Sequence, residues 1–273
     1  MKNGFKIPNI NKGVAFTIKG PFAHFRKFYS QTSMLSYPIP PRTAICGIIG
    51  AILGIDRNHL YSLMQPPNGV VALQLLTPTR KITTTINLIS TKKEHKKAVL
   101  KKGSVYSFDS SQNRTQIPFE ILISKKLPNI KYRIIFWHSD LFLIDKLISY
   151  LSKKKTFFPI YLGISEFLAS VEFEGITDSA QFLEEYCGTI NSVIVADNVI
   201  SNTLLQSENR FNVEYMLIYM NDDFSSKDYT NVIYSEGAKG LNLGVNYAVK
   251  WRDIILTPYE IIKNNGMRDE VSS

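Results

Sequence analysis

The side chains with chemistry to offer are concentrated between Gly20 and Gly54, in GPFAHFRKFYSQTSMLSYPIPPRTAICGIIGAILG. Within it His24, Phe25, Arg26, Lys27, Phe28 and Tyr29 interleave cations with rings. Such a mixture suits single-stranded nucleic acid, whose phosphates attract cations and whose unpaired bases stack on aromatic faces. Ser30, Gln31, Thr32 and Ser33 add hydroxyl and amide groups able to reach a 2′-hydroxyl or a phosphate. Arg42 stands where the next apolar run begins, and the free N–H groups of a helix start already favour an anion. Phe22 and Phe25 are expected to pack beneath the loop, and His59 and His138 to be structural.

The charge distribution points the same way. The 273 residues carry a net charge of +9. Up to Lys155 there are 25 basic and 6 acidic residues, and after it 7 basic and 17 acidic, so +19 faces −10. That asymmetry is the footprint of a nucleic-acid surface on the first part of the chain. With 44% hydrophobic residues and only 20% charged ones, the chain is expected to bury a real core rather than stay disordered. Two cysteines, Cys46 and Cys187, exclude a disulfide framework or a C-x-x-C metal site. Acidic pairs such as Glu184-Glu185 and Asp222-Asp223 suit a solvated face better than a two-metal centre, so no metal and no cofactor are expected. The longest apolar run, Ala44–Ile55, is about half a membrane span, and the first ten residues hold no hydrophobic signal region. A soluble, cytoplasmic protein is the expectation.

Elements must hold these side chains in place. Val14 to Ile18 alternates as a half-buried strand. Pro40-Pro41 introduces a helix over Arg42–Leu53, stopped by Gly54, in which Gly47 and Gly50 imply a backbone or phosphate too close for a β-carbon. Asp56 caps a short helix to Met64. Strands are expected at 70–76, 82–89, 119–123 and 132–137, followed by a helix capped by Asp140, whose Ile144, Leu147, Ile148 and Leu151 share one face, and a strand at 168–173. Between 92 and 102 lie six lysines, one glutamate and a histidine, which reads as a flexible basic insertion. After about residue 176 the pattern predicts a short helix from Asp178 to Tyr186 ended by Gly188, then strands near 192–200, 213–219 and 248–256. Gly237, Gly240 and Gly244 fit turns and match neither a P-loop nor a dinucleotide fingerprint. The basic-Gly-aromatic-Gly run of RNA-recognition sheets is missing, so stacking on the sheet face is not expected. The order β-α-β-β-α-β makes this an α+β chain with a ferredoxin-like, RRM-like domain over 1–175 and a smaller β-rich lobe over 176–273.

The same residues carry a resemblance. Pro40-Pro41, then Thr43-Ala44 and Gly47-Ile48-Ile49-Gly50-Ala51-Ile52-Leu53-Gly54, after the opening Gly20-Pro21-Phe22-Ala23-His24-Phe25-Arg26, resemble the Cas five family of CRISPR-associated RAMP proteins, nearest its type I-B branch. Phe158-Pro159-Ile160-Tyr161-Leu162-Gly163-Ile164-Ser165-Glu166 is similar to that family's Tyr-Leu-Gly element, and Tyr132-Arg133-Ile134 lies between the two. The resemblance implies a subunit of the Cascade surveillance complex of antiviral defence, capping the 5′ handle of the crRNA and docking to the backbone and large subunits. Target DNA would be met only through that complex, and no membrane is implied. It also implies that Arg26 and Arg42 hold RNA and that a thumb is inserted at about 80–116, bringing Lys81, Lys92, Lys93, Lys96, Lys97 and Arg114 to RNA beside His24, Lys27, Tyr29, Ser30 and Thr32. One branch of the family, type I-C, cleaves precursor RNA without metal through a tyrosine, a lysine and a histidine. His24, Lys27 and Tyr29, or His95-Lys96, supply those types here, and this endoribonuclease is the alternative to a non-catalytic cap.

Overall fold

Val14, Phe16 and Ile18 lie on one face of β1 (Gly13–Gly20), and Ala15 and Thr17 lie on the other. Both faces are covered, which places β1 at the centre of the molecule. It pairs antiparallel with β7 (Ile130–His138) on one side and β8 (Ser170–Ile176) on the other. β7 pairs in turn with β4 (Gly69–Leu75), giving a four-stranded sheet in the order β4-β7-β1-β8. The computed structural model describes residues 12–30, 33–89, 114–126, 128–200, 210–225 and 227–259. Its described residues are mostly strand, with three α-helices.

Two of these helices cover the first face: α1 (Arg42–Leu53) and α3 (Leu141–Ser152). Ile45 and Ile49 of α1 and Ile144 and Leu147 of α3 share a core with Val14, Phe16, Val71, Leu73, Ile134 and Phe136. α1 begins after Pro41 and ends at Gly54, which takes the left-handed conformation at φ 72° and donates its N–H to the Gly50 carbonyl. The Asp140 carboxylate caps α3 by accepting from the N–H groups of Phe142 and Leu143, and Asp56 caps α2 (Arg57–Met64) through Asn58. These three helices follow the sequence pattern closely. On the opposite face Ala15, Val70, Ala72, Ile135 and Trp137 pack against Val249, Trp251 and Leu256 from the end of the chain.

The strand expected at 82–89 is not part of that sheet. It belongs to β5 (Thr79–Ile89), which pairs along its whole length with β6 (Arg114–Ser124) as a separate two-stranded ribbon. The lysine-rich stretch between them, with Lys92, Lys93, Lys96 and Lys97, lies outside the described residues. Two short strands, β2 (Phe25–Arg26) and β3 (Ser36–Tyr37), frame the aromatic loop.

The later part departs further from the sequence pattern. The helix expected over 178–186 is a strand, β9 (Gln181–Ile190), paired with β13 (Leu241–Trp251). Leu183 and Tyr186, three residues apart, enter one cluster because Glu185 sits at φ 47° and interrupts the two-residue alternation. That spacing imitates a helix face, and the backbone hydrogen bonds of β13 override it. The strand expected near 192–200 shrinks to β10 (Ile194–Val195) followed by a 3-10 turn, Ala196–Asn198, whose Asn198 side chain bridges the backbone N–H and carbonyl of Tyr247. β11 (Phe211–Met220) pairs with β12 (Lys227–Ser235), which the sequence pattern did not suggest, and β14 (Ile254–Leu256) folds back on β13. Met216 and Ile218 of β11 join the same core as α1, and the Tyr259 hydroxyl donates to the Pro40 carbonyl. Residues beyond 176 therefore pack directly on the N-terminal helix.

The two glycines of α1 differ. A β-carbon on Gly50 would lie 2.7 Å from Leu60 Cδ1 of α2, whereas one on Gly47 would meet nothing within 4 Å. The close approach expected at both exists only at Gly50, and a leucine side chain makes it. Gly47→Ala should therefore raise stability by about 1 kcal/mol through helix propensity alone. Gly50→Ala should fall short of that gain because Leu60 must repack. Urea denaturation of the two variants checks the order, and equal gains would contradict the assignment.

Candidate nucleic-acid interface

The loop between β1 and α1 is fastened from three directions. From one side the His24 N–H donates to Leu162 O at 3.0 Å. Gly163 sits at φ 98°, and a β-carbon there would lie 1.8 Å from the His24 carbonyl oxygen. The two segments that carry the family resemblance thus meet at a backbone contact only glycine allows. From a second side β6 grips the loop: Ala23 and Leu122 exchange backbone hydrogen bonds at 3.2 and 2.8 Å, and Met34 N–H donates to Pro118 O at 2.8 Å. The Glu120 carboxylate accepts from the Ser36 N–H and also pairs with Lys81 at 3.1 Å.

β11 holds the third side. Lys27 Nζ lies 2.9 and 2.7 Å from the two Glu214 carboxylate oxygens and over the rings of Tyr29 and Tyr37 at 5.6 and 5.3 Å. Burial opposes the Lys27 charge, but Glu214 and Tyr29 together outweigh it and hold the ammonium above its ordinary value. The Tyr37 hydroxyl donates to Tyr215 O at 2.8 Å.

This fastening decides which candidate side chains reach solvent. His24 is 1% exposed, stacks on Phe119 at 4.4 Å and has Nδ1 2.7 Å from Glu120 O. Burial lowers its pKa below the ordinary 6.5, so it is held neutral inside the protein rather than offered to RNA. Arg42 is 2% exposed and donates to Met64 O at 2.6 Å and Gly69 O at 3.0 Å, with its guanidinium over the Tyr219 ring. The start of α1 is covered by the end of α2, so this arginine satisfies inner carbonyls and is not a phosphate ligand here. Ser30 is also buried, its hydroxyl donating to Ser33 O. Lys27 is buried and paired with the half-buried Glu214 carboxylate.

Arg26 and Tyr29 do face outward. Arg26 is exposed and donates to Ser30 O at 3.3 Å, and Tyr29 is 52% exposed. Lys81 is exposed on β5. Arg114 begins β6 opposite Ile89. Thr32 and the four candidate lysines lie outside the described residues. His138 is structural as expected: its Nε2 is 3.0 Å from Leu63 O, and its Nδ1 accepts from the Asp140 N–H.

Three further rings join Tyr29. Phe28, expected within the aromatic loop, is 48% exposed, and Tyr215 of β11, which the sequence reading did not single out, is 49% exposed. Phe28 lies 5.2 Å from Tyr29, 6.1 Å from Tyr215 and 4.4 Å from Tyr229. The signal for Tyr215 was present in the alternation of β11, where Met216 and Ile218 point inward and Val213 and Tyr215 outward. Its meeting with Phe28 depends on the ion pair across 187 residues and was not readable locally.

Residues 13–228 match the family model described as CRISPR-associated protein (Cas_Cas5). The chain belongs to the Cas five family of CRISPR-associated proteins. The fold is shared with a CRISPR protein from Archaeoglobus fulgidus, at 14% identity and a TM-score of 0.53, over 90% of this chain and 97% of that one. A chain of a CRISPR RNA-guided surveillance complex is similar at 10% identity and a TM-score of 0.48, over 85% and 91% of the two chains. No curated protein matches in sequence. The span matched in this Cas five protein takes in the aromatic loop, Gly163, Glu214 and Tyr215, and stops just before Tyr229.

The Lys27–Glu214 pair should behave as a part-buried clamp. Lys27→Met alone should cost about 2 kcal/mol, because it strands a half-buried carboxylate, and Lys27→Met combined with Glu214→Leu should recover most of that loss. Denaturant titration of the two single variants and the double variant measures the coupling, and additive losses would show that the two charges act independently.

Proposed function

We propose that this Cas five protein is a non-catalytic subunit of a type I CRISPR Cascade complex, of the type I-B kind, that caps the 5′ handle of the crRNA. In this reading it docks to the backbone and large subunits and meets target DNA only through them, in the cytoplasm. The observation that carries the proposal is the sorting of the aromatic loop. Its histidine, serine and lysine are turned inward and engaged, while Arg26, Phe28 and Tyr29 are left exposed. An exposed cation beside half-exposed rings suits single-stranded RNA. Burial of His24 away from solvent, while Tyr29 stays exposed, supports binding over cleavage at this loop.

The rest of the fold supports the same reading. The sheet order β4-β7-β1-β8, with α1 and α3 on one face, fits a ferredoxin-like β-α-β-β-α-β domain over 1–175, followed by a β-rich lobe over 176–273. The β5–β6 ribbon is then the base of the basic thumb over about 80–116, with Lys81 on its exposed side. Among the described residues no helix is long and apolar enough to cross a membrane.

The assembly purified from its source should carry RNA with one shared 5′ sequence. Binding of that RNA to the protein should weaken with salt at a slope of about −0.7 per neutralised phosphate, and Arg26→Ala should flatten the slope by nearly one such unit. Incubation with repeat RNA in EDTA should give no cut. A discrete metal-independent product, lost in a His95→Ala variant, would replace the cap by the endoribonuclease.

A further inference from the structure

Tyr215 and Tyr229 belong to the part of the chain where acidic residues outnumber basic ones, yet they share a surface with Phe28 and Tyr29 of the basic part. We infer that Phe28, Tyr29, Tyr215 and Tyr229 together form a stacking platform for unpaired RNA bases, assembled jointly by the aromatic loop and the β11–β12 hairpin. The inference rests on the proposed RNA-binding role and goes beyond it by assigning part of the RNA surface to the C-terminal half.

The geometry is that of a graded set of ring faces. Tyr215 and Tyr229 stack at 5.6 Å with 24° between their planes, and Phe28 leans on Tyr229 at 44°. Tyr29 stands edge-on to Phe28 at 86°, so two differently oriented faces flank one corner. Three of the four rings are about half exposed. A protein surface seldom leaves such an aromatic cluster open unless something covers it.

The cluster is also held in place. Glu214, next to Tyr215, anchors Lys27, next to Phe28, and the Tyr215 carbonyl accepts from the Tyr37 hydroxyl. Each exposed ring therefore follows or precedes a buried polar contact, which fixes its backbone before any ligand arrives. A mount of that kind reduces the ordering cost of binding.

Charge and shape select the occupant. Half-exposed planar rings offer stacking surfaces rather than a pocket for aliphatic side chains, and exposed Arg26 stands two residues from Phe28 as a phosphate partner. The sequence up to Lys155, which supplies that arginine, carries +19, and a polyanion answers it where an apolar protein segment does not.

The test is fluorescence anisotropy on the full chain with a labelled single-stranded oligouridine RNA and the same RNA carrying abasic positions. Tyr215→Ala should weaken binding of the intact RNA about tenfold, leave its salt slope unchanged, and have little effect on the abasic RNA. Tyr215→Trp should retain affinity, which separates stacking from mere folding, and thermal melting of both variants confirms that they are folded. If Tyr215→Ala binds like the wild type while Arg26→Ala is impaired, RNA binding stands and the platform is wrong. If Tyr215→Ala instead loses a co-purifying protein subunit with RNA affinity intact, the rings face a protein and the platform is likewise wrong. Failure of the wild-type chain to bind either RNA would overturn the RNA-binding role together with the platform.

Discussion

The seat of the His24 carbonyl against Gly163 governs the rest of the site. At φ 98° and with no room for a β-carbon, Gly163 lets two distant stretches of backbone touch. The loop after β1 is thereby pulled onto the body, His24 is turned into the core, and the side chains that follow are distributed by the strand-like conformation of Phe25–Arg26. Phe25 goes in and Arg26 goes out. Lys27 goes in again and meets Glu214, and Phe28 and Tyr29 are left on the surface. A backbone contact with no chemistry of its own thus selects which chemistry is displayed.

Electrostatics reinforces this selection. The first part of the chain is strongly basic, but not all of its cations are free. Arg42 neutralises the carbonyl end of α2, Lys27 is locked to Glu214, and Arg133 bridges Glu174 and Gln74 across the sheet. Among the described residues the exposed positive surface is smaller than the count suggests. Buried cations of this kind need a partner, because burial without one is costly. That requirement couples Lys27 to the β11–β12 hairpin and makes the C-terminal half part of the loop's support.

Much of the fold was legible because local rules agreed with the tertiary result. Proline before α1, glycine after it, and aspartates before α2 and α3 are local signals that the structure obeys. The 178–186 segment was misread because Leu183 and Tyr186 are spaced as on a helix, and only pairing with β13 reveals the strand. Within the site, the cluster of cations and rings was readable, but its orientation was not. Whether His24 and Arg42 face solvent depends on β6 and on the end of α2 with the turn after it, which lie outside the loop in sequence. Tyr215 stayed hidden for the same reason, since exposure of a strand residue says little until its neighbour is known.

The central claim is that the fastened loop presents Arg26, Phe28 and Tyr29 outward as the RNA-contacting side of the protein. Ultraviolet cross-linking of the RNA-loaded assembly, with mass spectrometry of the attached peptides, tests it most directly. Nucleotide adducts are expected on Phe28, Tyr29 and Tyr215. Adducts confined to other exposed rings, such as Phe142, Phe157 and Phe158, with the loop unmodified, would contradict it.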